Sequence, residues 1–257
     1  METDNFLKIG SSHKVCEDYT LVGDNYIIIS DGCSSAKMTD VGARILTISA
    51  ATVIKRYIEQ RFIPTYEVFG DIVLHTALAH SRALNLPDSS LYATLLIAFH
   101  IDGYTHVYVY GDGHVVSESN DGKKCHISYE YGRPNKPELN APYYLAYWMD
   151  PKQYTDQFGK DNLQVYENGS EVVPFNSHVY DDTKTLTLFT DGIESFRCCD
   201  ECDLKALYVA HELTSYKNYK GEFVQRRCKA AMKYFKRLDP AVTHTDDIAV
   251  ASMYLGE

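Results

Sequence analysis

The chain has 257 residues, 45% of them hydrophobic, and 25 Lys and Arg against 35 Asp and Glu give a formal charge of −10 at pH 7. That length and apolar content suit a sizeable folded core and exclude a disordered chain. The acidic excess argues against duplex nucleic acid or an anionic membrane surface as a general partner, since both are bound through clustered Lys and Arg, but it leaves local cation binding open.

Met1–Asn5 lacks the basic and apolar regions of a signal peptide, and no run of about 18 uncharged apolar residues follows, so a soluble, cytoplasmic protein without a membrane partner is expected. The first strands are read at Tyr19–Val22 and, after a Gly23-Asp24-Asn25 turn, at Tyr26–Ser30, an apolar run that stops at Asp31-Gly32. Asp40 is expected to cap a helix with Val41, Ile45, Ile48, Ala51 and Ile54 at helical spacing, reaching about Arg61, and a second helix is expected from Tyr66 to Ala83. Strands return at Ala93–His100 and Thr105–Tyr110, and a Gly111-Asp112-Gly113 turn leads to Val115-Val116.

From about 132 to 176 the chain holds five of its eight prolines, much Tyr and the only Trp without clean periodicity, which reads as an irregular excursion with short strands. Thr185–Thr190 is β-rich and again stops at Asp-Gly, Asp191-Gly192. Cys198, Cys199 and Cys202 include the spacing of half a zinc site, but His211 stands alone, and seven dispersed cysteines suit ordinary reduced thiols. Two helices, about Asp203–Ser215 and Gly221–Leu238, precede a last strand at Ile248–Tyr254. Strands, two helices, strands, two helices and a strand suit antiparallel sheets with helices outside, in a single domain, rather than a doubly wound parallel sheet.

Acidic residues recur where strands end: Glu17-Asp18, Asp31-Gly32, Asp112, Asp191-Gly192 and Asp246-Asp247. Any one Asp-Gly is most simply a hairpin turn. Several converging carboxylates would repel one another unless they held cations, and oxygen donors without His or Cys suit Mg2+ or Mn2+. In order, these blocks together with Ala93-Thr94 resemble the signatures of the metal-dependent protein phosphatases, the type 2C-like family, in its bacterial-type form. Leu188-Phe189-Thr190-Asp191-Gly192-Ile193 and Thr245-Asp246-Asp247-Ile248-Ala249-Val250 are the most specific.

The resemblance implies a four-layer αββα sandwich, an α+β fold with two antiparallel sheets flanked by helix pairs, and two Mn2+ or Mg2+ ions at the mouth between the sheets. Carried over, Asp31 would bridge the ions, the Gly32 carbonyl would bind one, and Asp191 and Asp246 the other. Glu17 and Asp18 would contact the cluster directly or through water, Asp112 and Asp191 would form a third, weaker site, and Ala93-Thr94 would pack beneath. The implied reaction is hydrolysis of phosphoserine or phosphothreonine in proteins by a water bridging the metals, with a phosphoprotein as partner and a monomeric enzyme. The segment 132–176 stands where the family has a flap. The Cys-x5-Arg loop of cysteine phosphatases is absent, since position 204 is Leu.

Some blocks depart from the pattern. His13 stands where the family has a phosphate-binding Arg; it can donate to phosphate but lacks the bidentate fork. Cys33 replaces a histidine common in eukaryotic relatives, His114 stands in place of the Arg of G-D-S-R, and Ser195 takes an acidic position with Glu194 one residue off. Two alternatives therefore stay open: a catalytically silent phosphatase-like binding module, and a phosphatase of a small metabolite contacted by Tyr143, Tyr144, Tyr147 and Trp148.

Overall fold

Strands β3 (Tyr26–Ser30) and β4 (Leu95–Ile101) are apolar on both faces and almost wholly buried, so each must lie inside a sheet that is covered on both sides. In the computed structural model, which describes residues 1–132, 141–160, 162–198 and 203–256, they are the centre of a five-stranded antiparallel sheet. Its order is β10 (Ser177–Tyr180), β5 (Tyr104–Tyr110), β4, β3, β2 (Tyr19–Gly23). A seven-stranded sheet runs β1 (Glu2–Lys8), β14 (Ile248–Tyr254), β11 (Thr185–Phe189), β6 (Gly113–Glu118), β7 (Lys124–Tyr131), β8 (Leu163–Glu167), β9 (Ser170–Val172). Every pairing in both sheets is antiparallel, and β12 (Phe196–Arg197) and β13 (Thr243–His244) form a small separate ribbon.

The period of two sorts side chains into layers. Ile27, Ile29, Leu96 and Ala98 face Leu186, Leu188, Ala249 and Ala251 between the sheets. Ile28, Ile97 and Phe99 face outward onto α1 (Thr39–Gln60) and α2 (Tyr66–Ala83) through Leu46, Phe69 and Leu74. On the far side Phe6, Phe189, Ile248 and Val250 pack on α4 (Ala206–Leu213) and α5 (Phe223–Leu238) through Val209, Leu213, Phe223 and Phe235. The result is the expected αββα sandwich.

Two expectations are corrected. Helix α1 starts at Thr39 after Met38 in the left-handed region, and Asp40 lies in the first turn rather than at the cap. The chain around His13 and Lys14 runs without a strand. The excursion also holds a helix, α3 (Pro151–Phe158), capped by Asp150, which accepts from Gln153 N at 3.3 Å. Its Tyr144, Tyr147 and Tyr154 are buried with Tyr92, Tyr143 and Cys33, while Trp148 meets Tyr66 and Tyr110 edge-on. These rings dock the segment on the body, which leaves little aromatic surface for a metabolite. Residues 133–140 of the flap-like stretch, and Cys199 and Cys202 of the half zinc spacing, lie outside the described residues.

Candidate metal centre

Asp31 follows directly on β3, and its backbone is held on both sides. Its N donates to Thr94 Oγ1 at 3.0 Å, Thr94 N donates to its carbonyl at 2.8 Å, and Ser30 Oγ donates to Thr94 O at 2.5 Å. Ala93-Thr94 thus lies under the site, as expected. Gly32 donates to Glu17 O at 3.2 Å, and a Cβ there would come within 2.8 Å of Thr39 O, so a side chain would push the loop off α1.

Asp18 enters from the loop before β2 and accepts from Thr190 Oγ1 at 2.7 Å, while that hydroxyl accepts from Ala249 N at 2.9 Å. Asp191 opens a short 3-10 turn after β11, and Asp112 sits on the turn between β5 and β6. The structure brings these four carboxylates together: Asp31 is hydrogen-bonded to both Asp18 and Asp191, and Asp112 feels the charge of Asp191. Burial, then mutual repulsion, raises all of them. Asp18 is pushed up to about 8 and Asp191 to about 6, while Asp31 and Asp112 sit well above the usual carboxylate range.

Asp246 and Asp247 divide their tasks. Asp246 is partly exposed and adds to the field on Asp191. Asp247 is 2% exposed and accepts from Gly10 N at 2.8 Å and Glu17 N at 2.6 Å, so it clamps the loop that carries His13, Glu17 and Asp18. His13 turns onto this pair, with Nδ1 3.1 Å from Asp247 and Nε2 3.5 Å from Asp246, and the nearby carboxylate of Asp247 raises its pKa. Glu17 meets Thr39 Oγ1 at 3.4 Å on the other side of the loop. Asp18, Asp31, Asp112 and Asp191 thus form one buried group, which Asp246 adjoins through its charge on Asp191, while His13, Glu17 and Gly32 lie on the loops beside it.

Sequence reasoning missed a second layer. His114 Nε2 lies 3.1 Å from Glu194, and its Nδ1 lies 3.2 Å from Nε2 of His126, with the two buried rings stacked at 5.2 Å. Burial and His114 push His126 down to about 3. Burial raises Glu194, but the hydrogen bond from His114 outweighs it and leaves the carboxyl below its usual range. The residues that departed from the family pattern at 114 and 194 thus answer each other. His126 on β7 was invisible because nothing in its local sequence marks β7 as the neighbour of β6.

Among the described residues no group of three or more His, Cys, Asp or Glu side chains stands gathered as a ready metal site. The donor set nevertheless fits hard divalent cations: four sunken carboxylates, all-oxygen, crowded enough to hold protons against one another. Charge of that density in a covered cleft calls for a counter-charge, and no Lys or Arg acts on any of the four as a main influence.

Part of the sequence and the fold of the whole are similar to known proteins. Residues 10–134 match the family model Protein phosphatase 2C. The catalytic domain of the serine/threonine protein phosphatase PstP in complex with two manganese ions superposes with a TM-score of 0.57 at 11% identity, over 99% of this chain and 98% of that one. A bacterial serine phosphatase gives 0.57 at 15% identity, over 100% and 99%. The PPM Ser-Thr phosphatase MsPP from Mycobacterium smegmatis, in complex with cacodylate, gives 0.55 at 13% identity, over 100% and 99%. No curated protein matches the chain by sequence. The first half of the chain thus matches the family model of protein phosphatase 2C, and the fold of the whole is similar to that of these serine/threonine phosphatases.

Proposed function

We propose that the chain is a single-domain, cytoplasmic, monomeric phosphatase that depends on Mn2+ or Mg2+ and hydrolyses phosphoserine or phosphothreonine in proteins. The observation that carries this reading is the convergence of Asp18, Asp31, Asp112 and Asp191 without a countering Lys or Arg. Asp31, the Gly32 carbonyl, Asp191 and Asp246 would hold two ions, with Glu17 and Asp18 beside them and Asp112 with Asp191 for a third. Bound there, such ions supply Lewis acidity to phosphoryl oxygens and acidify water at neutral pH.

The chain's own residues do the rest. Thr94 fixes the Asp31 backbone, Thr190 fixes Asp18, and Asp247 holds the 10–17 loop at the rim. His13 is the one basic side chain within ion-pair reach of Asp246 and Asp247 among the described residues, where it can donate to a phosphate oxygen. Its engagement with that pair also supports the second reading, a silent phosphatase-like module in which His13 stays closed on the site.

Hydrolysis of p-nitrophenyl phosphate and of a phosphothreonine peptide separates the two. The phosphatase reading expects turnover with Mn2+ that EDTA abolishes and that falls at least 100-fold in Asp31→Ala and Asp191→Ala. No turnover with metal, or turnover that survives both substitutions, would overturn it.

A further inference from the structure

Far from the carboxylates in charge, though near them along the chain, α5 reads Phe223 to Leu238 with six Lys and Arg and no acidic residue, in a protein of net charge −10. Its apolar stripe, Phe223, Val224, Cys228, Ala231 and Phe235, is buried on the seven-stranded sheet. Asp4 of β1 holds its first turn, accepting from Val224 N at 2.6 Å and Gln225 N at 3.1 Å. Beside that seam runs a groove of about 460 Å3, with Phe6, Leu7 and Lys8 on one wall and Lys229, Met232, Lys233 and Lys236 on the other.

Two features of this groove call for a partner. Side chains of successive strand residues alternate across a sheet, so three consecutive residues lining one groove present the edge of β1 rather than a face. That edge is the outermost of the seven-stranded sheet, with no further strand paired to it in that sheet among the described residues, while Thr3 Oγ1 donates to Gly23 O of β2 at 3.0 Å. The lysines are also uncompensated. Among the described residues, Lys and Arg ion pairs to carboxylates are made by Arg61, Arg82, Lys124, Lys184, Arg197 and Arg227, and by none of the four groove lysines. Lys8 instead lies 3.4 Å from the Met232 sulfur, and burial, with Lys236 nearby, lowers its pKa.

We propose that the β1–α5 groove docks an extended acidic segment of a protein partner, added as a strand on the free edge of β1 with its carboxylates against Lys8, Lys229, Lys233 and Lys236. Strand addition supplies main-chain hydrogen bonds, and the guest side chains that point to the α5 side would meet the lysines around the apolar floor of Phe6 and Met232. The groove lies close to the candidate site along the chain, since Lys8 is two residues from Gly10, whose N–H holds Asp247.

The test needs no catalysis. A fluorescein-labelled 12-residue peptide alternating Glu with Val is titrated with the full chain in low salt and followed by anisotropy. Saturable binding is expected, weakened at least tenfold by the exposed-site triple variant Lys229→Glu, Lys233→Glu, Lys236→Glu, whose fold is checked by circular dichroism, and lost when alternate peptide nitrogens of the guest are methylated. Equal binding of the Gln-for-Glu peptide, equal binding to the triple variant, or indifference to methylation would overturn the proposal. So would binding of anionic lipid vesicles without binding of the peptide, or a dimer of this chain that the triple variant abolishes.

Discussion

At the residue scale the account rests on carboxylates with unlike duties. Asp31 is buried and crowded by like charges, so Asp31→Asn should stabilise the metal-free protein at alkaline pH, measured by urea unfolding, while abolishing metal-dependent turnover. Asp247 is the reverse case. Removing it leaves the amides of Gly10 and Glu17 unpaired in a buried setting, so Asp247→Ala should cost about 3 kcal/mol with or without Mn2+. The first of these residues was legible in the sequence, because a β-rich run ending in Asp-Gly marks a carboxylate at a strand end. The second was legible only as one more acid, because its partners lie 237 and 230 positions away and are backbone amides that carry no sequence mark.

At the element scale, strands with unbroken apolar runs declared themselves, and β3, α2 and β14 fall where periodicity puts them. β1 and β7 did not. Glu2–Lys8 buries only Phe6, and Lys124–Tyr131 mixes Lys, His, Ser and Glu among its aromatics, so neither shows a clean alternation, and pairing with β14 and β6 makes them strands. α3 was hidden by its length and by proline, although Asp150-Pro151 is a capping signal. The close crossing of the Asp191 turn under β14 gives a test at this scale. A Cβ on Gly192 would overlap Asp247 O, and the main chain there has no room to yield, so Gly192→Ala should destabilise by about 3 kcal/mol and weaken Mn2+ binding together, read by thermal unfolding with and without metal.

At the scale of the whole molecule, the sandwich gathers four buried carboxylates in one group and six of its 25 Lys and Arg on α5. The buried group makes stability depend on pH. An unfolded Asp titrates near 4, whereas folded Asp18 holds its proton to about 8 and Asp191 to about 6. Between those limits the folded state binds more protons than the unfolded one, so metal-free stability falls as pH rises from about 4 to about 8. Mn2+ should therefore raise the melting temperature more at pH 8 than at pH 5, as calorimetric scans would read.

The most direct test of the central claim, that these carboxylates form a divalent metal centre, is isothermal titration of the metal-free chain with Mn2+ at pH 7.5. The account predicts two equivalents bound with proton release, reduced to one or none in Asp31→Asn and in Asp191→Asn. Absence of binding heat in the native chain, or unchanged stoichiometry in both variants, would contradict it.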